Sequence, residues 1–405
     1  MGRAARRGVA ALFLLLAIVF MLPHTSRALT CFCSSEEEHA ANAERLESVL
    51  RAYKTVGASI VFIKQGAIAD VYHYGRANRA DDIPVGDDTL FRVASITKMV
   101  TAIGALRLWE MGEFELDEDI GTYFGFKVRN PYFPNVPITM RQIMTHTASL
   151  IDYGHYDRAL NGDIVKLSSI FTGKLSATDF SRHEPGVHYD YSNFGGGLLG
   201  SVIELFTAST ADEWMSEIVY QPLGITASYF TPNLPNGAQI ARIYDADSMW
   251  VKLDSMALTS ADAVDDFETH YTYTAGSLSI SAIDLAKILM IIAGDGSAAG
   301  ERILRPETVA EMRAMQNNVG SVRCESDRGL NLNIIKDSIV SGRTLYGHQG
   351  KAYGMICAAY CDPIDQTGVV ILTNGCDDST VNSVARIVRD TLGVSWKIID
   401  QHAGD

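Results

Sequence analysis

An α+β architecture, with an antiparallel β-sheet covered by helices and a mainly helical domain inserted into it, follows from three features of the 405-residue chain. Strand and helix patterns occupy both ends of the sequence, and a sheet completed from both ends is a common α+β plan. The middle changes character, to short helices among loops rich in Tyr, Asn, Asp and Pro. The composition, 47% hydrophobic and 20% charged, is that of an ordinary globular protein and excludes a disordered or collagen-like chain. The expected division is an α/β domain whose N-terminal part covers 36–130, a mainly helical domain over 131–270, and the C-terminal part of the α/β domain over 271–405.

The N-terminal α/β part opens with a charged, helix-periodic stretch from Glu36 to Lys54, with Leu46 and Leu50 on one face. Ala58 to Ile63 and Ile68 to Tyr74 flank Lys64-Gln65-Gly66 and read as a β-hairpin. Ser95 to Glu110 is a strong helix pattern: Met99, Ile103, Leu106 and Leu108 give it an apolar side, and Gly112 ends it. In the middle, helices are expected over Thr139–Met144 and Gly195–Leu205. Further on, Ser281–Ala293 is amphipathic, and Pro306 suits the first turn of a helix to about Met315. One strand-like run, His348 to Tyr360, precedes a turn at 362–368 and a strand from Val369 to Thr373. A last helix is expected over roughly Thr380 to Leu392. No internal repeat is present.

The extreme N-terminus has the layout of a secretory signal peptide. Arg3, Arg6 and Arg7 precede fourteen uncharged residues, Val9 to Leu22, then Pro23 and a small-residue pattern at Ser26-Arg27-Ala28. Fourteen is short for a membrane span, which needs about 17–25 residues. A secreted or extracytoplasmic protein is expected, with residues 1–28 as signal peptide. An uncleaved signal anchor and a lipidated Cys31 are the alternatives. Removing residues 1–28 takes away four arginines and no acid, so the net charge moves from −14 to −18. So acidic a chain has no attraction for phosphate backbones, and nucleic acid is not an expected partner. The expected partner is a small-molecule or peptide substrate. Export makes disulfides chemically open to Cys31, Cys33, Cys324, Cys357, Cys361 and Cys376, and six cysteines allow 15 pairings.

Three motifs carry chemistry. Ser95-Ile96-Thr97-Lys98 is the one Ser-x-x-Lys in the chain. An extended stretch, Thr89 to Ala94, leads into it, and the helix starts at or near Ser95. The i, i+3 spacing puts hydroxyl and amine on one face, and a serine next to a buried lysine base can become a nucleophile. A plain N-cap role for Ser95 competes, although Lys98 rules out a capping box. In Tyr191-Ser192-Asn193, the Tyr191 phenol near Lys98 can act as general base or acid, and the Asn193 amide can bind a substrate carbonyl. The bland alternative is a turn. In His348-Gln349-Gly350, His348 is a candidate catalytic residue and Gln349 and Gly350 are candidate substrate contacts, the glycine letting substrate backbone approach a strand edge. The next amide, of Lys351, can join that of Ser95 as an oxyanion hole. No cofactor is expected. His183 and His188 stand five apart in a loop, poor spacing for a metal, and no metal site is expected.

Together these motifs resemble the three ordered motifs of the penicillin-recognising serine hydrolases. The similarity is to the branch of class C β-lactamases, D-alanyl-D-alanine carboxypeptidases and β-lactamase-like esterases. Phe91-Arg92-Val93-Ala94, Met144-Thr145-His146-Thr147-Ala148-Ser149-Leu150 and Thr274-Ala275-Gly276-Ser277-Leu278 resemble further stretches of that branch, and the resemblance spans roughly residues 45–395. It implies a β-lactamase/transpeptidase-like fold. It also implies roles: Ser95 as the acylated nucleophile, Lys98 as its base, Tyr191 as proton relay and Asn193 as contact to the substrate amide. The amides of Ser95 and Lys351 form the oxyanion hole, and His146 is structural. His348 and Gln349 depart from the family's Lys-Thr-Gly or Lys-Ser-Gly, in which the lysine and hydroxyl help hold a substrate carboxylate. A largely neutral His348 weakens that hold. The expected activity is therefore a secreted serine hydrolase of esterase or D-amino-acid peptidase type. A true β-lactamase and a non-catalytic penicillin- or peptide-binding relative are the alternatives.

Overall fold

The computed structural model describes residues 35–173, 176–245, 267–316, 327–377 and 384–401. The expected signal segment and Cys31, Cys33 and Cys324 lie outside the described residues. The chain begins with α1 (Glu36–Ala52), whose N-cap Ser35 accepts a hydrogen bond from the Glu38 amide and whose first turn carries Glu36, Glu37 and Glu38 against the helix dipole. The expected hairpin follows as β1 (Gly57–Lys64) and β2 (Ala67–Asn78). A two-residue strand, β3 (Ile83–Pro84), extends it.

Five more strands come from the C-terminal part: β4 (Asp327–Gly329), β5 (Leu332–Lys336), β6 (Thr344–Ala352), β7 (Met355–Asp362) and β8 (Thr367–Thr373). The eight form one sheet in the order β3-β2-β1-β8-β7-β6-β5-β4, and every pairing is antiparallel. The two ends of the chain meet in its centre, where Ala58 pairs with Thr373 and Ile60 with Ile371.

The sheet is covered on both faces, so its middle strands are apolar at nearly every position rather than alternating. Ala58, Ile60, Phe62, Ile356, Ala358, Tyr360, Val369 and Ile371 point to a cluster with Leu46 and Leu50 of α1. That cluster also holds Ile387, Val388, Leu392, Trp396 and Ile399 of α5 (Arg386–Gln401). Val61, Ile63, Cys357, Ala359, Cys361, Val370 and Leu372 point the other way. There they meet α2 (Ile96–Met111) and α4 (Ala282–Ala293), with α3 (Asn193–Thr207) beyond. The period of two along each strand produces this division. Residues Cys31–Asp405 form one compact unit, and the second cluster runs unbroken from the sheet into the helical region.

Three expectations need correcting. The run from His348 to Tyr360 is two strands, because Tyr353 and Gly354 both take positive φ (55° and 97°) and close a two-residue hairpin. A tyrosine in that conformation carries no Asn-Gly signal. The last helix begins later and runs further than expected, to Gln401, because the spacing of Val388, Leu392, Trp396 and Ile399 keeps one face apolar. Strands β4 and β5 were not expected at all. Cys357, Cys361 and Cys376 are buried, and burial pushes the Cys357 thiol up to about 12. Among the described residues no helix is long and apolar enough to cross a membrane.

Trp396 is fully buried between α5 and the sheet. Trp396→Ala is expected to lower the free energy of unfolding by about 3–5 kcal/mol. Urea denaturation of the two proteins measures the difference.

Candidate active site

The site is assembled where α2, the start of α3 and strand β6 converge. Phe91–Arg92 pairs with Ser279–Ile280 as a short antiparallel bridge, which fixes the approach to α2. Ala94 then takes a left-handed φ of 46°, unusual for a residue with a side chain, and Ser95 stands at the N-cap position. Its hydroxyl makes no capping hydrogen bond. The competing N-cap reading of Ser95 is thus excluded by geometry, and its Oγ faces Lys98 instead.

Lys98 is 0% exposed. Its Nζ donates to Asn193 Oδ1 at 2.7 Å, to the Ala275 carbonyl at 2.6 Å and to Ser95 Oγ at 3.3 Å. A buried amine needs such acceptors, because leaving it unpaired costs more than any single bond returns. Room for its stem comes from Gly196: a Cβ there would lie 2.5 Å from Lys98 Cε. A Cβ on Gly197 would lie 1.4 Å from the Tyr271 carbonyl oxygen. The glycine run after the second motif is therefore a packing requirement as well as a helix start.

Asn193 is the first residue of α3, and both ends of its amide are engaged. Its Oδ1 receives Lys98, and its Nδ2 donates to Asp152 Oδ2 at 2.7 Å. In this structure Asn193 bridges Lys98 and Asp152, and it also lines the cleft beside Ser95. Asp152 also accepts from Ser192 Oγ at 3.1 Å and from the Phe194 amide at 3.0 Å, so a carboxylate sits at the positive end of α3. The sequence reading missed Asp152. A lone Asp two residues after Leu150 carries no local signature, and its partners are some forty positions away.

Tyr191 is 38% exposed. Its ring lies 4.4 Å from that of buried His146 and 5.1 Å from Lys98 Nζ, centroid distances in both cases. Its hydroxyl makes no hydrogen bond among the described residues, which leaves the phenol open to a bound molecule. His146 Nδ1 accepts from the Ser192 amide at 3.2 Å, so His146 supports the second motif from below. That is the structural role the resemblance implied.

The third motif splits in two by strand alternation. His348 faces the site, buried, and its Nδ1 donates to the Gln349 carbonyl at 2.5 Å. That bond fixes the neutral tautomer, with Nε2 as an acceptor. Burial first, then the charges of Lys98 and Arg328, lower the imidazole to about 3. Gln349 does not face the site: its Oε1 accepts from the Ala385 amide beside α5, on the opposite face of the sheet. The expectation that Gln349 contacts substrate is overturned by the period of two. Gly350 serves internal packing, since a Cβ there would lie 2.1 Å from the Val93 carbonyl oxygen. Strand β5 pairs with β6 only as far as Gly347, so from His348 onward β6 is paired to β7 alone among the described residues. Ser95, Asn193 and Lys351 line one cleft of about 150 Å³, walled by Arg92, Tyr156, Leu160, Gly276 and Tyr353. The two residues expected to supply the oxyanion amides thus face one space. A larger concavity of about 520 Å³, bordered by Asp295, Arg313, Tyr346 and Ile364, contains none of these residues.

The spacing argument against a metal also needs correcting. The ligand atoms of His183, His188 and Asp190 lie within 4.8 Å of one another. A turn at Glu184-Pro185-Gly186-Val187 folds the first histidine back onto the second.

The family model described as Beta-lactamase matches residues 42–392, and the chain belongs to that family. Esterase EstB of Burkholderia gladioli is 30% identical over 204 residues, 46% of this chain and 51% of EstB. The chain thus spans about half the length of that relative. D-amino acid amidase from Ochrobactrum anthropi SV3, solved with L-phenylalanine amide, superposes with a TM-score of 0.69 at 20% identity, covering 90% of this chain and 99% of the amidase. A class C β-lactamase superposes with a TM-score of 0.69 at 17% identity, covering 92% and 99%. These structures establish the β-lactamase/transpeptidase-like fold.

His348 gives a pH signature. Unfolded, its imidazole titrates near 6.5, whereas folded it titrates at about 3. Between those values the unfolded chain binds the additional proton, so stability falls as pH drops from about 6.5 toward 3 and is fully present above that window. Buried His146 shifts in the same direction. His348→Gln is expected to flatten the decline of the urea midpoint between pH 6.5 and 4. A slope unchanged from the wild type would contradict this assignment.

Proposed function

We propose that this protein is an exported serine hydrolase that works through an acyl-enzyme on Ser95. Its proposed substrates are carboxylic esters, or amides and peptides of D-amino acids, ahead of β-lactams. The observation that carries the reading is the contact of Ser95 Oγ with the fully buried Lys98 Nζ at 3.3 Å. To take the serine proton Lys98 must first give up its own, and the neutral amine so formed has two hydrogens and one lone pair. The two short contacts, to Asn193 and Ala275, use the hydrogens, and the lone pair is left for the serine proton.

In the proposed reaction, Ser95 Oγ attacks the substrate carbonyl carbon while its proton passes to Lys98 Nζ. The developing oxyanion is met by the Ser95 and Lys351 amides. When the tetrahedral adduct collapses, the bond to the leaving alcohol or amine breaks. That group takes a proton through the Tyr191 hydroxyl, which the proton on Lys98 restores. Water then attacks the acyl-Ser95 ester while Tyr191 and Lys98 take its proton; the acyl C–Oγ bond breaks, that proton passes to Ser95 Oγ, and the acid is released. Neutral His348 offers no charge to a substrate carboxylate, which favours esters and amides lacking one beside the scissile bond. The names of EstB and of the D-amino acid amidase agree with that choice.

Ser95→Ala is expected to abolish covalent labelling by a fluorophosphonate, read as an intact-mass shift. Undiminished labelling of the variant would refute the nucleophile. The wild type is expected to turn over p-nitrophenyl esters or D-phenylalanine amide faster than nitrocefin. The opposite order would move the assignment to β-lactamase. Asp152 acts through Asn193 as a positioning residue. Asp152→Ala is expected to lower kcat on the order of a hundredfold, with KM little changed, because Lys98 loses its fixed direction. An unchanged kcat would show that Asp152 only caps the helix.

A further inference from the structure

We propose that His183, His188 and Asp190 form a binding site for a divalent transition-metal ion of the Zn²⁺ class, which fastens the loop delivering Tyr191. The spacing of the donors carries the proposal. His183 Nδ1 lies 3.3 Å from Asp190 Oδ2, and His188 Nδ1 lies 3.2 Å from Asp190 Oδ1. Zinc bonds to nitrogen and oxygen are about 2.0–2.2 Å, and in a tetrahedral site two such donors stand roughly 3.4 Å apart. These distances therefore suit ligands around one ion better than they suit strong hydrogen bonds between charged partners.

The second observation is an unsatisfied atom. His188 Nδ1 is buried and makes no hydrogen bond, although the Asp190 carboxylate is so near. Both Nδ1 atoms lie beside the one carboxylate; the two imidazoles stack with centroids 3.7 Å apart and 21° between planes, so one ring turns out of the stack for both in-plane lone pairs to converge on an ion. Two imidazoles and a carboxylate are a donor set that Zn²⁺ and its neighbours accept.

The loop holds this arrangement by ordinary means. The Val187 amide donates to the Glu184 carbonyl at 3.2 Å, with Pro185 and Gly186 (φ 90°) between them, the chemistry of a type II turn. The Gly186 amide is tied to the Thr147 carbonyl at 2.7 Å, and the Asp190 amide to the His146 carbonyl at 2.8 Å. Ser181 Oγ donates to Asp190 Oδ2 at 2.7 Å, the kind of outer contact that orients a ligating carboxylate. Nearby cations are turned onto rings, Arg182 over Tyr132 and Arg328 over Tyr189. Binding would displace the proton on His183 Nδ1 to solvent and leave each ring protonated at Nε2. Asp190 directly precedes Tyr191, so an ion there would pin the backbone that carries the phenol.

The test is titration of the full chain with Co²⁺, followed by visible absorption, with Zn²⁺ competition. The expected result is saturation at one ion per chain, with d–d bands of a four-coordinate nitrogen and oxygen site. Affinity is expected to drop at least roughly tenfold in His183→Ala and in the conservative His188→Gln. Ser95→Ala should bind as the wild type does, which separates this site from the hydrolase reading. The proposal is overturned by absence of saturable uptake, by thiolate charge-transfer bands that place the ion on cysteines, or by undiminished uptake in both histidine variants.

Discussion

An amine sealed from water is the constraint on which the rest of this structure depends. Lys98 must find its acceptors inside the protein, and it takes them from three separated parts of the chain: Ser95 one turn earlier, Asn193 at the start of α3, and the Ala275 carbonyl. Each acceptor then needs its own support. Asn193 is held by Asp152, and the segment that contains Ala275 is tied to α2 where the Leu278 amide meets Thr97 Oγ1 at 3.2 Å. Even the absence of side chains is dictated from here, since any residue but glycine at 196 would displace the lysine stem.

The neutral state of His348 follows first from its burial and then from the charge of Lys98 beside it. A second cation beside Lys98, out of water, would meet both repulsion and desolvation. In the related enzymes a lysine is expected at this position. Here the imidazole settles as a neutral group that donates to its own strand and presents a lone pair. The consequence is a site in which Ser95 and Lys98 stay in contact while the group on β6 beside them carries no charge.

How much of this was legible in the sequence differs from residue to residue. The hairpin, the helix behind Ser95 and the strand after the turn at 362–368 were readable because hydrophobic period and turn residues agree there. Lys98 and Tyr191 were readable as motifs. Gln349 was misread because motif spacing is blind to which face of a strand a side chain takes, whereas alternation sends it to Ala385. Asp152 and the grouping of His183 with His188 were invisible for another reason. Their meaning lies in contacts made across loops, and the backbone of a loop is not written in any period. Strands β4 and β5 are short, with Gly329 ending β4 and Asn331 in the turn between them, which hides them among turn residues.

The central pair of strands joins Ala58 to Thr373, about 315 positions apart. Loop closure over that distance is slow, and contacts of such high order come late in folding. During synthesis Ser95 and Lys98 emerge long before β8, the strand on which the sheet closes, has left the ribosome. Until then α2 has no completed sheet to bury it, and its apolar surface stands open. Under the proposed export, a protein that cannot finish its core before its last strands arrive would stay unfolded long enough to be threaded across a membrane, and its proposed nucleophile would be built only on the far side.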